Sequence, residues 1–331
     1  MIAPFSIPSP DEAWRILWEI PLPWGGVIAI HTYALCILLG MVLAVIITSR
    51  RLTTRGAEPG VVLDIALWAV LLGIIGARVY HVLTHPADYF EGQEWWRVFA
   101  IAEGGIAIYG SLLGGAVGVF IGCKQTGIRF LSFADALAPG LLVAQATGRL
   151  GNWFNHELFG MPTDLPWGLE IDSANPAFPA GLPDGTLFHP TFLYEIIWNL
   201  AGAALIIFLG RKINLRWGKA FAVYLIWYGL GRSFFESIRV DPSEMFLGIR
   251  VNVWASFAAI LLGIVIFVVQ SRRHTGDEPT PYEPGREWKG ADAEVDSDET
   301  ESDSDSLDDD VEGGNDTGET AATSSSRSPS P

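Results

Sequence analysis

Cysteine, metal-ligand spacings and nucleotide-binding loops are the first things missing from this sequence. Its two cysteines, Cys36 and Cys123, lie in or at the end of apolar runs, and nothing about them suggests a disulfide framework or a metal site. Both read as small buried hydrophobes. A catalytic thiol is the weaker alternative, with only Lys124 beside Cys123 as a cationic neighbour. No metal motif, phosphate-cradling loop or pair of haem ligands occurs, so no metal and no other cofactor is expected. Charge is thin as well: 18% of residues are Asp, Glu, Lys or Arg, where soluble domains carry roughly 25%. The first 20 residues hold Asp11, Glu12 and Glu19 and lack a basic start, so a cleavable signal is not expected.

The charge that is present sits unevenly. Of the net −16, residues from 275 onward contribute −15, with 18 acidic against 3 basic side chains. The first 274 residues hold 19 acids and 18 bases and are close to neutral. The acidity therefore belongs to a tail and says nothing about partners of the main body; no nucleic acid is expected. That tail, 275–331, has few aromatics, no apolar periodicity and dense like charge, which predicts a disordered acidic segment. A docking role is the alternative, without a feature to support it.

Apolar length is what the chain has in excess. Half of its residues are hydrophobic. Runs near 27–48, 61–83, 105–123, 133–150, 190–210, 219–238 and 249–270 approach the roughly 20 residues that a membrane helix needs. The fourth is the least hydrophobic. The pattern predicts an all-α polytopic membrane protein with about seven transmembrane helices, its transmembrane catalytic domain covering 1–274. Basic residues cluster after the first, third, fifth and seventh runs: Arg50, Arg51 and Arg55; Lys124 and Arg129; Arg211, Lys212, Arg216 and Lys219; Arg272 and Arg273. The alternate connections are basic-poor, with only Arg97 in 84–104 and none in 158–188. This bias places the N-terminus outside and the tail in the cytoplasm. Trp14, Trp18, Trp24, Trp95, Trp96, Trp153 and Trp167 then fall where interfacial aromatic belts form. Asp11–Pro21 is expected to lie on the outer leaflet as a short amphipathic helix.

Ionisable residues at the ends of these runs need a reason, because a charge in hydrocarbon costs at least roughly 2.5 kcal/mol. Arg78, Tyr80 and His81 close the second run, and Glu103 and Tyr109 open the third. Arg149 and Asn152 close the fourth, His189 and Glu195 open the fifth, and Arg232, Glu236 and Arg239 close the sixth. All map to the outer side, which predicts one polar cavity opening outward. Tyr228, Arg232 and Glu236 follow at i, i+4 and i+8, with Arg239 three residues on, so they share a helical face. A self-neutralising Arg–Glu pair is the bland explanation there. For Arg149 and Asn152 it is a helix end packed closely through Gly148 and Gly151.

The segment Gly148–Gly160, G-R-L-G-N-W-F-N-H-E-L-F-G, resembles the signature of the prolipoprotein diacylglyceryl transferase family. So do I-H-T-Y-A-L around Tyr33, G-A-R-V-Y at 76–80, E-G-G-I-A-I-Y-G at 103–110, H-P-T-F-L-Y-E at 189–195 and Y-G-L-G-R-S-F-F-E-S-I-R at 228–239, in the same order. The resemblance covers about 25 to 270 and leaves out the tail. It implies a multi-pass enzyme of the bacterial cytoplasmic membrane with its active site toward the extracytoplasmic face. Such an enzyme moves the diacylglyceryl group of phosphatidylglycerol onto the lipobox cysteine of a prolipoprotein, forming a thioether and releasing glycerol phosphate. Its partners would be phosphatidylglycerol, the lipobox of the prolipoprotein signal peptide and the surrounding membrane lipids.

By the same resemblance Arg149, Asn152, Glu157 and Gly160 match the signature, and Tyr33, Tyr228, Arg232 and Glu236 match other functional positions. The expected roles are phosphate binding by Arg149, leaving-group assistance by Arg232 held by Glu236, headgroup positioning by Asn152 and Tyr33, and ordering of the signature loop by Glu157. Gly160 and Arg239 are also expected at the phosphatidylglycerol site. One position departs from the family pattern: Tyr109 stands where many members have a histidine proposed as the base. A phenol, with a reference pKa near 10, is a poor base at neutral pH. His156 stands where glycine or another small residue is common. A transporter using the Arg/Glu cluster as a substrate pathway is the main rival, though no internal repeat is evident. A scaffold recruiting through its tail is the second, and it leaves the polar ends without a task.

Overall fold

The computed structural model describes residues 5–23, 25–90, 95–101, 104–241 and 243–290. Seven long helices make up most of them: α1 (Thr32–Thr53), α2 (Val61–Thr84), α3 (Ile108–Thr126), α4 (Phe130–Phe154), α5 (Thr191–Lys212), α6 (Lys219–Ile238) and α7 (Val251–Arg273). Five of these, α1, α2, α4, α5 and α7, are long and apolar enough to cross a membrane. The chain is thus a mostly helical, multi-pass membrane protein. α3 carries five glycines, and α6 carries Arg232 and Glu236.

Small residues set the helix pairs, as expected where lipid supplies no hydrophobic drive between helices. A methyl group at Gly122 of α3 would lie 2.8 Å from Ile65 Cα of α2, and one at Gly76 of α2 would lie 2.9 Å from Gly114 Cα of α3. A methyl at Gly40 of α1 would lie 3.0 Å from Ala144 Cα of α4. Between α5 and α6, Trp198 and Trp227 stack at 4.3 Å, and each indole N–H donates to the other's carbonyl. α4, the least hydrophobic span expected from the sequence, is the most enclosed of these five helices. A helix wrapped by its neighbours meets little lipid and needs less apolar surface. Its fully buried Asp135 accepts from the backbone N–H of Gly218 (2.7 Å) and Phe221 (2.9 Å), capping the start of α6.

The N-terminal segment corrects an expectation. The amphipathic helix expected over Asp11–Pro21 is reduced to a single turn, Glu12–Trp14, and Ile16–Pro21 is a strand (β1). β1 pairs antiparallel with Val27–His31 (β2). Residues 27–31, assigned from sequence to the first span, therefore belong to a hairpin, and α1 begins at Thr32. Ile16, Trp18 and Ile20 alternate along β1, and Gly25 and Gly26, both at φ +93, supply the reversal. The hairpin leaves Trp14, Trp18, Ile20, Val27 and Ile28 exposed, and Trp95, Trp96 and Trp167 are exposed elsewhere. Trp153 departs from the anchor expectation. It stacks on Phe192 and belongs to a folded head built on Phe159, Leu169, Ile171 and Phe188. In the head Leu169–Glu170 (β3) pairs with Leu187–Phe188 (β4), and Ile7 bridges to Leu169. Trp24 lies outside the described residues.

The compact unit extends past the boundary expected at residue 274 and reaches Trp288. After α7 the backbone crosses the loops where the basic clusters sit. Arg216 and Arg129 donate to the carbonyls of Glu278 and Thr280, and Ser132 donates to the Glu278 carboxylate. The Tyr282 hydroxyl accepts from the backbone of Glu58, and Lys124 pairs with Glu283 at 2.6 Å. Glu278 and Tyr282 are 2% and 3% exposed. The acidity of this stretch complements the arginines it crosses. A chain ending at 288 is predicted to melt at least about 5 °C above one ending at 274 in the same detergent, as thermal unfolding of the two truncations would report. Residues 291–331 of the expected acidic tail lie outside the described residues.

Candidate functional site

The signature segment ends α4 and turns sharply. His156 and Leu158 take left-handed backbone conformations at φ 54 and 60, a region that favours glycine. Here the histidine is retained by a 2.7 Å hydrogen bond between its Nε2 and the carbonyl of Pro10. Backbone bonds then stitch the segment to two other elements. Gly160 N–H donates to His189 O (2.9 Å), Met161 N–H to Ile238 O (2.8 Å), and the Thr191 hydroxyl to Leu158 O. A methyl at Gly160 would lie 2.7 Å from His189 Cβ. Gly160 thus permits close packing, and its amide is already taken.

Arg149 stands in the last turns of α4. Its Nη2 pairs with Glu195 of α5 at 2.6 Å, and its Nη1 donates to Asn152 Oδ1 at 3.2 Å. The Asn152 amide in turn donates to Glu157 Oε1 at 2.8 Å, an oxygen that also accepts from Asn155. Four residues of the signature are thereby joined. Tyr33 of α1 packs on the same helix end: a methyl at Gly151 would lie 3.1 Å from Tyr33 Cα.

Glu236 of α6 is the second centre and is fully buried. Its Oε2 faces Arg232 at 3.0 Å and Arg239 at 3.7 Å, and its Oε1 faces Arg250 at 3.4 Å and the Asn252 amide at 3.0 Å. Asp241 binds Arg239 through both oxygens, at 2.6 and 2.8 Å. Three guanidinium groups thus meet two carboxylates, which leaves a local surplus of positive charge. Arg232 faces Glu236 as an ion pair, and the Oε2 it faces accepts no aligned hydrogen bond among the described residues.

The two centres act on each other. Arg149 lies within electrostatic range of Arg232, Arg239 and Tyr228, and Glu195 within range of Arg149, Arg232 and Arg239. Tyr228 stacks on Tyr224 one turn back along α6, and Tyr109 of α3 donates to Asn252 at 2.9 Å. Arg149, Asn152, Glu157, Gly160, Glu236, Arg239, Tyr33 and Tyr109 thus lie toward the end of the bundle where α4 and α6 finish and α1, α3, α5 and α7 begin, with Arg232 inside the last two turns of α6 and Tyr228 midway along it.

Arg78 does not join them. Its guanidinium donates to the backbone carbonyls of Arg97, Val98, Gly104 and Gly105, holding the α2–α3 loop. A cavity of about 360 Å³ beside it is lined by Arg78, His81, Asp88, Tyr89, Arg97, Gly104 and Gly105, none of them in the guanidinium cluster. Glu103 lies outside the described residues. Sequence reasoning did not single out Glu195 as the partner of Arg149, nor Arg250 and Asn252 as neighbours of Glu236. An ionisable residue opening a span was the available signal for Glu195. Among the described residues no group of three or more His, Cys, Asp or Glu side chains is arranged to hold a metal ion.

Residues 20–269 match the family described as prolipoprotein diacylglyceryl transferase. A phosphatidylglycerol–prolipoprotein diacylglyceryl transferase of Leifsonia xyli is 63% identical over 304 residues, covering 89% of this chain and 90% of that one. The enzyme of the same name from Bifidobacterium adolescentis is 50% identical over 255 residues, covering 74% and 76%. Transferase 2 of Streptomyces coelicolor is 45% identical over 291 residues, covering 88% of each. Similarity of this extent runs through every helix that contributes to the site, and the chain belongs to the prolipoprotein diacylglyceryl transferase family.

Proposed function

We propose that this chain transfers the sn-1,2-diacylglyceryl group of phosphatidylglycerol to the lipobox cysteine of prolipoproteins. The observation that carries the reading is a pair of guanidinium groups from separate helices, Arg149 and Arg232, each anchored by a glutamate near one end of the bundle. A guanidinium stays charged and its planar fork matches phosphate oxygens. The family and the names of the relatives supply the substrates. A transporter reading of the same cluster has no support there, since the matched family and the named relatives are transferases.

In the proposed reaction the thiolate sulfur attacks the glycerol C3 of the lipid. The C3–S bond forms as the C3–O bond breaks, and the electron pair leaves on the phosphate oxygen as glycerol phosphate. The thiol proton goes to solvent or to the departing phosphate. Free cysteine has a pKa near 8.5, and a positive surplus lowers the cost of the thiolate while stabilising the leaving phosphate. Arg149 binds the phosphate, aimed by Glu195 and Asn152. Arg232, held by Glu236, meets the leaving oxygen. Tyr33 and Tyr228 border the headgroup, Glu157 orders the signature loop, Gly160 lets that loop close on α5, and Arg239 keeps the Glu236 side positive.

The same reading takes all seven long helices as spans, with the N-terminus and this site on the extracytoplasmic side of the bacterial cytoplasmic membrane. The basic clusters after α1, α3, α5 and α7 support that orientation. Purified protein, labelled phosphatidylglycerol and a lipobox peptide provide the test. Peptide mass should rise by one diacylglyceryl group with stoichiometric release of glycerol phosphate. A peptide of unchanged mass under turnover conditions would refute the assignment.

A further inference from the structure

The hydrogen-bond chain that ends on Glu236 passes through a residue to which no role has been given. Asn252, the second residue of α7, sits between the Tyr109 phenol of α3 and the Glu236 carboxylate of α6. The polarity of the chain is fixed by chemistry. An ionised carboxylate only accepts, so the amide nitrogen faces Glu236 at 3.0 Å and the amide oxygen faces the phenol. The phenol must then donate, which it does at 2.9 Å. The proton of Tyr109 is committed to Asn252, and the site asks for a donor at position 109.

We infer that Asn252 is a positioning residue for the transfer, aligning Glu236, and through it Arg232, while coupling Tyr109 to both. The inference rests on the proposed function and deepens it. A phenol O–H supplies that donor at position 109 without having to act as a base. Arg250 approaches the same Glu236 oxygen at 3.4 Å, a longer and charge-assisted contact. Asn252 is the closer partner on that side of the carboxylate, and its removal leaves Glu236 to be aimed by the arginines, with only the longer Arg250 hydrogen bond to the same oxygen.

Four variants test this in the peptide transfer assay: Asn252→Leu, Asn252→Asp, Tyr109→Phe and the Asn252→Leu/Tyr109→Phe double. Asn252→Leu should lower kcat about 30-fold while KM for phosphatidylglycerol moves less than about 3-fold, since the lost bond matters where charge develops. Tyr109→Phe alone should cost about 5-fold, and added to Asn252→Leu it should cost less than about 2-fold more, because both break one chain. Asn252→Asp keeps the side-chain shape and sets a second carboxylate against Glu236. Its activity should be low at neutral pH and recover on acidification, as the introduced carboxyl gains a proton and donates again. Near-normal kcat in Asn252→Leu would overturn the inference. So would an equal cost of Tyr109→Phe in both backgrounds, or an Asn252→Asp pH profile parallel to that of the unaltered chain. Should Asn252→Leu fail to fold, the pH profile of Asn252→Asp decides alone. Absence of transfer by the unaltered chain would instead refute the proposed function, which keeps the two failures distinct.

Discussion

Replacing Arg149 by lysine should cut transfer about 100-fold or more, even though the charge is kept. Arg149 spends one terminal nitrogen on Glu195 and the other on Asn152, and this two-point hold orients the plane of its guanidinium. An ammonium has no plane to orient. It reaches Glu195 or Asn152, and whichever it reaches, the fork that would grip two phosphate oxygens is gone. The loss should fall mainly on kcat, with the protein still folded, because a lysine here continues to neutralise Glu195. Steady-state transfer with purified Arg149→Lys protein checks this. Near-normal turnover would mean that the phosphate is held elsewhere.

Glu236→Gln should be the most damaging single change to both activity and stability. The carboxylate is fully buried and faces Arg232, Arg239 and Arg250. Removing one partner of such a buried network leaves uncompensated charge and costs about 3–5 kcal/mol. Asp241 already serves Arg239 and has no second carboxylate to lend. The thermal midpoint should fall by several degrees, and transfer by the protein that remains folded should fall by about 100-fold, because Arg232 loses the anchor that aims it. Thermal unfolding in detergent and turnover per folded molecule separate the two effects. A normal midpoint would show that the arginines rearrange freely, which a preorganised cluster forbids.

The parts of this molecule that were legible in its sequence are those that each stretch must satisfy alone. A helix in hydrocarbon has to be apolar for about 20 residues, so the seven runs predicted the seven long helices to within a few residues at most ends, five of them long and apolar enough to cross a membrane. The signature from Gly148 to Gly160 also read directly, because its turn and its polar residues are contiguous. Legibility failed where a partner from another helix decides the outcome. Nothing local says that Arg149 turns to Glu195, or that Asn252 reaches both Tyr109 and Glu236; helix rotation and packing through glycines set those pairs. The hairpin at Ile16–His31 failed for another reason: Trp14, Trp18 and Ile20 suit an amphipathic helix and an alternating strand alike, and Gly25 and Gly26 decide between them. The stretch after α7 was hidden by composition. Its acids resemble those of the remaining tail, yet Glu278 and Tyr282 are buried on arginine-bearing loops.

The central claim is that Arg149 and Arg232 grip one lipid phosphate together. Determining the structure of the protein in a lipid nanodisc with phosphatidylglycerol bound would test it most directly. The account predicts phosphate oxygens within about 3 Å of guanidinium nitrogens from both residues, with C3 of the diacylglyceryl group open to an approaching sulfur. A phosphate held by one arginine while the other faces acyl chains, or bound outside this end of the bundle, would contradict it.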